Sequence, residues 1–471
     1  MSWRVAGSLA LVSWGALSFG AVYPWGAVPL YAGSALFGAV ALVTGRSEDR
    51  RIWSLAAALA LVVLAVGAQL VPLRVSTIER LSPHTIWLLT RYDVYFAATG
   101  AQAPHPLSIS PNDTMLALAA FVSFGLLICG SARALSRHEV RTLCGGVVIL
   151  GLVLALIAFI QKATSNGRIY GFWVPIEGRD PFGPFVNRNH FAGWMLLCLP
   201  MAVGYFCGRI VRGTRTAKSG WRNQVVWWAS AEASRTLLAG FSIVVMAIAL
   251  VLTFSRSGIA GFILAMIVSA YYVVRRQTRR TRLLTVVYLA GVVGIAIGWV
   301  GLDPVVSRFM SQDMFDMNGR IGAWIDAWNI VRRFPLTGTG LNTYGVATLF
   351  YQTADLVHHY STAHNDYLQL AAEGGLLVCA PALLAIGLLV DGISRRLRDA
   401  SPESPDYWIR AGCATGLLAV GLQEIGDFSL QIPGNAVLFC LLAGIALRTP
   451  SASPAASRSR ATVASPASVA C

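Results

Sequence analysis

The chain of 471 residues is unusually apolar: 55% of its residues are hydrophobic, only 13% are charged, and its mean hydropathy is +0.60. A soluble domain carries nearer a quarter charged residues, and a soluble protein of this composition would expose more apolar surface than solubility tolerates. Composition therefore excludes a soluble protein and predicts an all-α, polytopic membrane protein. The net charge of +15 is typical of nucleic-acid binding or of basic cytoplasmic loops, and its distribution decides between them.

About twelve apolar segments follow one another, each near the ~20 residues with which a helix crosses a bilayer. An even number of spans places both termini on the same side. Of the 37 basic residues, 25 fall in alternate connections, counted from Arg4 to the C-terminal tail, so the positive-inside rule predicts cytoplasmic termini. No basic run is interleaved with aromatic residues, and we therefore expect no nucleic-acid partner. The predicted spans are residues 5–23, 26–44, 52–71, 114–132, 142–160, 190–208, 236–254, 258–274, 283–302, 375–393, 409–427 and 434–448.

Three long connections then face the periplasm, at residues 72–113, 161–189 and 303–374, and the last is the largest. Within it, apolar spacing predicts an amphipathic helix over residues 320–334, which Asn318-Gly319-Arg320 opens and Pro335 ends. A tryptophan-rich face suits a helix lying in the membrane interface. The predicted apolar face comprises Ile321, Trp324, Ile325, Trp328 and Val331, with Asp326, Asn329 and Arg333 opposite. Residues 1–448 are predicted to form the transmembrane domain, and residues 449–471 a disordered cytoplasmic tail.

Three arginines stand where apolar helices are expected to meet the periplasmic face. Arg188 starts the sixth predicted span, Arg256 lies in a hairpin with almost no loop, and Arg320 opens the amphipathic helix. A charge held at the membrane face is costly unless it has a partner or a task, and a helix start with an arginine favours an anion. Each also has an ordinary interpretation, as a snorkelling residue, a hairpin residue or a solvated helix-start residue.

His364 precedes the tenth predicted span, within His364-Asn365-Asp366-Tyr367-Leu368-Gln369, and Glu373 follows. A histidine beside carboxylates can act as a general base near neutral pH, although helix capping is the default for an isolated histidine. Together with His358 and His359 it suggests a metal site, but no ligand spacing supports one. We predict neither a metal nor a cofactor.

Glu424 and Asp427 lie late in the eleventh predicted span, where charges are costly. They would counter the arginines or orient a base. By spacing alone they could equally mark the ion pathway of a solute transporter, so that class of protein stays open.

Three motifs resemble those of the O-antigen ligase and polymerase superfamily of bacterial envelope glycan assembly. The resemblance extends over about residues 180–390, and elsewhere the chain matches only in hydropathy. The motifs are Ser255-Arg256-Ser257-Gly258 between two spans, Arg320-x3-Trp324 with the turn Pro335-Leu336-x-Gly338-x-Gly340, and the His364–Gln369 segment with Glu373-Gly374.

The resemblance implies a GT-C-like or SEDS-like glycosyltransferase of the bacterial inner membrane. Such enzymes take a glycan from undecaprenyl diphosphate and transfer it to an acceptor hydroxyl at the periplasmic face. The acceptor is lipid A-core in a ligase, a second lipid-linked glycan in an O-antigen or exopolysaccharide polymerase, or a protein hydroxyl. The resemblance implies His364 as the catalytic residue, Arg188, Arg256 and Arg320 as diphosphate-binding residues, and Asn365, Asp366 and Glu373 as supporting residues.

Overall fold

A computed structural model describes residues 1–99, 103–164, 167–176, 180–216, 230–274, 314–353 and 359–449. Within these ranges the regular elements are α-helices and two single-turn 3₁₀ helices, and no strand is formed. The helices are α1 (Trp3–Leu17), α2 (Pro24–Thr44), α3 (Arg50–Gln69), α4 (Val75–Leu81), α5 (Pro83–Tyr92), α6 (Val94–Thr99), α7 (Pro111–Ala134), α8 (Arg137–Thr164), α9 (Arg188–Thr216), α10 (Ala231–Leu252), α11 (Arg256–Val274), α12 (Met314–Arg333), α13 (Tyr344–Tyr351), α14 (Asp366–Asp399), α15 (Pro405–Gln423) and α16 (Pro433–Leu447).

Seven of these helices are long and apolar enough to cross a bilayer, namely α2, α3, α7, α8, α9, α10 and α14. Shorter apolar helices occur at Arg256–Tyr272 and at α16, and α1 and α15 coincide with further predicted spans. The ninth predicted span, at residues 283–302, and the tail beyond residue 449 lie outside the described residues. The expectation of a polytopic helical membrane protein is thus confirmed, and the count of twelve spans stays a prediction.

Helices α9 and α15 form the centre of the bundle. Of the apolar window of α9, 78% is buried inside the protein, and Trp194 on this helix has no exposed surface. The two helices approach closely where glycines face each other, because a Cβ added to Gly412 would lie 3.0 Å from the Cα of Gly204. Small residues at such crossings let helix backbones pack directly in a membrane.

Basic side chains gather at one end of the bundle, around Asp406 at the start of α15. The Asp406 carboxylate pairs with Arg137 at 3.1 Å, Arg141 at 2.9 Å and Arg448 at 3.4 Å. These arginines belong to alternate connections whose positive charge predicts a cytoplasmic location. The basic connections that contain these arginines therefore meet at one end of the bundle. The motifs that contain Arg256, Arg320 and His364 lie at the opposite end of α15 and α16.

The turn before α13 is held against α3 and α14 by a buried glutamine. The Gln69 side-chain amide donates to the carbonyl oxygens of Thr337 at 2.7 Å and Glu373 at 2.9 Å. Gly338 and Gly340 have φ values of +63° and +106°, a region that favours glycine. The predicted turn at residues 335–340 is confirmed, and it fixes α12 and α13 to the start of α14.

The predicted start of the amphipathic helix is wrong. Helix α12 begins at Met314 and not at residues 318–320, since it continues through Asn318 and Gly319. Arg320 therefore lies inside the helix, where the preceding turn already occupies its backbone N–H. The anion preference expected from a helix N-terminus does not apply to Arg320, so any anion binding there depends on its guanidinium.

The predicted polarity of the two faces of α12 is also wrong in part. Asp326, expected on the polar face, is only 1% exposed. Its Oδ1 atom accepts hydrogen bonds from the Thr353 backbone N–H at 2.9 Å and the Thr353 hydroxyl at 2.6 Å. Of the predicted apolar face, Ile321, Ile325 and Trp328 are exposed, whereas Val331 packs against the buried cluster that includes Phe334.

Candidate active site

Residues 424–432 join α15 to α16 and form what we term the 424–432 connection. The Arg320 guanidinium donates to the Gly426 carbonyl oxygen at 2.9 Å. The Ser257 hydroxyl donates to the Asp427 carboxylate at 3.2 Å. The connection therefore brings together the segments that contain Arg256 and Arg320, which are far apart in the sequence.

Two histidines contact Phe428 in the same connection. The His364 and His190 rings both meet Phe428 in T-shaped arrangements, with centroids 5.0 Å and 4.9 Å from its ring. His190 lies in the first turn of α9, two residues after Arg188. Phe428 thus links the predicted catalytic histidine to the helix that carries the first predicted phosphate-binding arginine.

The backbone of His364 is held in an uncommon conformation. Its φ is +50°, in the left-handed region that costs about 1–2 kcal/mol for a residue with a side chain. The indole N–H of Trp324 donates to the His364 carbonyl oxygen at 3.4 Å. The conformation directs the half-buried imidazole toward Phe428, and the Trp324 contact ties it to α12.

Asn365 and Asp366 fasten the start of α14. The Asn365 side chain caps the helix by accepting the Leu368 backbone N–H at 3.0 Å. The Asp366 carboxylate accepts the Gln431 side-chain amide at 2.7 Å, and the Asp366 backbone N–H donates to the Glu424 carbonyl oxygen at 3.1 Å. Both predicted supporting residues therefore position the backbone beside His364.

Glu373 lies deeper, with only 4% of its surface exposed. Its carboxylate accepts the backbone N–H groups of Asn342 at 2.8 Å and Tyr344 at 3.0 Å, and the Gln369 amide at 3.1 Å. The Gln369 oxygen in turn accepts the Ala363 N–H at 3.0 Å. Glu373 therefore supports the His364 segment through Gln369 and does not contact it directly.

Tyr344 joins the same support to α12. Its hydroxyl donates to the Ala323 carbonyl oxygen at 3.0 Å. Burial, together with the nearby carboxylates of Asp326 and Glu373, raises the pKa of Tyr344 well above its ordinary value. The hydroxyl therefore stays protonated near neutral pH and serves as a hydrogen-bond donor.

Arg256 is the first residue of α11, and α10 ends at Leu252, so the predicted tight hairpin is confirmed. Phe254 in the hairpin has a φ of +49°. The Ser255 hydroxyl accepts the Gly258 N–H at 3.3 Å, which caps α11. The hairpin is therefore a defined structure that fixes the position of Arg256 at the site end of the bundle.

Arg188 begins α9, as predicted, and borders a cavity of about 270 Å³. Its guanidinium pairs with Asp180 at 3.3 Å, and its backbone N–H donates to the Asp180 carbonyl oxygen at 2.8 Å. The cavity is also lined by Lys162, Thr253 and Phe254. It therefore lies between Arg188 and the hairpin that presents Arg256.

The four predicted residues Arg188, Arg256, Arg320 and His364 thus belong to segments that meet around the 424–432 connection. Sequence reasoning missed Phe428 and Gly426, for which no motif gave a signal, and it assigned no role to His190 or Lys162. His358 lies outside the described residues. Among the residues that the structure does describe, no three His, Cys, Asp or Glu side chains form a group that could hold a metal.

The helices and this polar site define a multi-pass membrane protein with buried and half-buried ionisable groups at one end of its bundle. Residues 241–383 match the family model described as O-antigen ligase. The match supports the resemblance of the motifs to the O-antigen ligase superfamily over this part of the chain. Together with the apolar helices it supports a multi-pass bacterial membrane protein. Arg256, Arg320 and His364 lie inside the matched range, and Arg188 lies outside it. None of the curated proteins matches the chain.

Proposed function

We propose that this protein transfers a glycan from undecaprenyl diphosphate to an acceptor hydroxyl at the periplasmic face of the inner membrane. The observation that carries the proposal is the meeting of His364, Arg320 and the Arg256 hairpin at the 424–432 connection. A base and phosphate-binding groups at one end of a membrane bundle are what a lipid-linked diphosphate donor requires.

The reaction needs no nucleotide, because a polyprenyl diphosphate is already an activated leaving group. His364 takes the proton of the acceptor hydroxyl as its oxygen attacks the anomeric carbon. The bond between that carbon and the diphosphate oxygen breaks in line, and the electron pair leaves with undecaprenyl diphosphate. The anomeric configuration is thereby inverted.

Negative charge builds on the diphosphate as this bond breaks. Arg188, Arg256 and Arg320 stabilise it, since guanidinium groups stay protonated and bind phosphate oxygens in pairs. In this role they replace a divalent cation. Asp366 and Glu373 act as positioning residues through the hydrogen bonds that hold the backbone on either side of His364.

The site end of the bundle faces the periplasm in this proposal, and both termini are cytoplasmic. Support comes from the arginines gathered around Asp406 at the opposite end, where the positive-inside rule expects the cytoplasm. The exposed Ile321, Ile325 and Trp328 of α12 lie in the outer membrane interface, so that α12 covers the site from the membrane side.

Purified protein in liposomes, supplied with a short undecaprenyl-diphosphate glycan, tests the proposal. Growth of the lipid-linked chains, followed by mass spectrometry, identifies a polymerase. An intact donor that is consumed only after lipid A-core is added identifies a ligase, which we favour. His364→Ala should abolish transfer and retain donor binding, and His359→Ala in the same connection is the matched control. Near-normal transfer by His364→Ala would overturn the mechanism.

A further inference from the structure

The cavity beside Arg188 contains a second cation that the proposed mechanism does not use. Lys162, near the end of α8, lines the cavity with Arg188. Among the described residues of the lining, the acidic one is Asp180, whose side chain is 60% exposed. Two cations thus face one solvated carboxylate, and the described part of the lining carries a net positive charge.

Lys162 is held in place without being neutralised. Its ammonium lies 3.4 Å from the Leu252 carbonyl oxygen, 4.9 Å from the centre of the Phe254 ring and 5.7 Å from that of Phe182. A carbonyl dipole and two ring faces attract an ammonium group, but they leave its charge available to an anion. In the part of the chain that the structure describes, this hydrogen bond goes to the backbone and not to a carboxylate.

The position of Lys162 couples the cavity to the Arg256 hairpin. Leu252 is the last residue of α10, and Phe254 is the strained residue two positions before Arg256. The hydrogen bond to Leu252 and the contact with Phe254 therefore fix the position of the ammonium group next to the start of α11. Lys162 and Arg188 line the cavity wall, so both can contact an anion bound in the cavity. The hairpin that contains Arg256 lies beside it.

We propose that Lys162 binds a phosphate of a diphosphate anion in this cavity and is a further donor-binding residue. The inference rests on the proposed function, which supplies a lipid diphosphate as the ligand. A volume of about 270 Å³ exceeds the ~30 Å³ of one water several-fold, and this leaves room for a phosphate-bearing headgroup. On binding, the ammonium exchanges the Leu252 carbonyl for a phosphate oxygen, a stronger charge-assisted hydrogen bond.

The amino-acid composition makes a direct test possible. Only two of the 37 basic residues are lysines, Lys162 and Lys218, so acetylation of amines reports on few sites. Wild-type protein in detergent is acetylated with inorganic pyrophosphate, with undecaprenyl diphosphate, with phosphatidylglycerol or with no addition. Mass spectrometry then compares the labelling of Lys162 with that of Lys218 as the internal reference.

Pyrophosphate and undecaprenyl diphosphate should each slow the labelling of Lys162 relative to Lys218 by about fivefold or more, and phosphatidylglycerol should not. Arg188→Met should weaken this protection. Equal labelling of Lys162 with and without the diphosphates would overturn the proposal. Protection by phosphatidylglycerol of the same size would also overturn it, because the cavity would then take any lipid phosphate.

Variants supply a second measurement. Lys162→Met should weaken binding of undecaprenyl diphosphate by about tenfold, the loss expected for one charge-assisted hydrogen bond, and Lys162→Arg should retain most of it. Arg91→Met is the matched control, because Arg91 also donates to a backbone carbonyl, at 3.0 Å, and lies 4.0 Å from the Trp87 ring, but outside the cavity. Affinity equal to the wild type for Lys162→Met would contradict the proposal.

The outcomes separate this inference from the proposed function. Protection of Lys162 without any glycan transfer would keep the diphosphate site and refute the transferase. Transfer that depends on His364 without protection of Lys162 would keep the transferase and refute the role of Lys162.

Discussion

His190 and His364 pack their imidazole rings against the same side chain, Phe428, with ring centroids 4.9 Å and 5.0 Å from it and interplanar angles of 76° and 74°. One histidine belongs to the first turn of α9 and the other precedes α14. Phe428 lies between α15 and α16, so this contact joins separate parts of the bundle at the proposed base. The orientation of His364 therefore depends on a residue that performs no chemistry.

Phe428→Ala tests this dependence. Aromatic pairs contribute about 0.5–1.5 kcal/mol each, and the substitution removes both T-shaped contacts. We expect kcat for glycan transfer to fall about tenfold, with little change in the KM for the lipid-linked donor. Phe428→Tyr, which keeps the ring, should retain most of the activity. An unchanged kcat in Phe428→Ala would show that His364 is oriented by other contacts.

Arg256→Lys tests whether the hairpin arginine binds phosphate through its planar fork. The substitution keeps the positive charge but loses paired hydrogen bonding. We expect a loss of transfer of at least about tenfold, measured as kcat/KM for the donor. Arg212→Lys in α9, on the far side of the bundle from the motifs, is the control and should transfer normally. Full activity in Arg256→Lys would mean that charge alone suffices at this position.

The sequence predicted the helices well because crossing a bilayer imposes a length and an apolarity that composition reveals. It also located Arg188 at a helix start and Arg256 in a tight hairpin, where turn residues mark the boundary between two apolar segments. It failed at α12, since Asn318 and Gly319 resemble a helix start although the helix continues through them. Asp326 was assigned to the polar face because helical spacing alone cannot show that Thr353, 27 residues further on, hydrogen bonds to its carboxylate in the interior.

The 424–432 connection could not be predicted as the meeting point of the motifs. The Gly426 backbone carbonyl accepts a hydrogen bond from Arg320. Every residue has such a carbonyl, so the residue type does not reveal this contact. Phe428 is one of many aromatic residues in an apolar chain. Only the packing of α9, α14 and α15 shows that these positions adjoin His364.

Glu424→Gln distinguishes a positioning role of the carboxyl pair from the ion pathway of a transporter. The Glu424 carboxyl group interacts electrostatically with that of Asp366, and its Oε1 atom accepts the Leu430 backbone N–H at 3.2 Å. Glutamine keeps an oxygen that can accept the Leu430 N–H, so we expect the thermal-unfolding midpoint and glycan transfer to stay near wild-type values. Glu424→Ala leaves the Leu430 N–H without this acceptor and should cost about 1–3 kcal/mol of stability. Loss of function in Glu424→Gln with an unchanged midpoint would favour a titrating role for this carboxyl group.

Glu373→Ala should be the most destabilising single change at the site. The substitution deprives three donors of their acceptor, the N–H groups of Asn342 and Tyr344 and the amide of Gln369. Each buried, unsatisfied donor costs about 1–3 kcal/mol, so a total loss of about 3 kcal/mol or more is expected. Because Gln369 also accepts the Ala363 N–H, the residue before His364 should loosen as well.

The thermal-unfolding midpoint in detergent measures the stability of Glu373→Ala, and protease cleavage near residue 363 measures the local loosening. Glu373→Gln is the matched variant: its single carbonyl oxygen keeps part of the bonding, and we expect an intermediate midpoint. Glu403→Ala, an exposed substitution in the connection before α15, should change neither readout. A wild-type midpoint for Glu373→Ala would mean that the 342–344 backbone and the His364 segment are held by α3 and Gln69 alone.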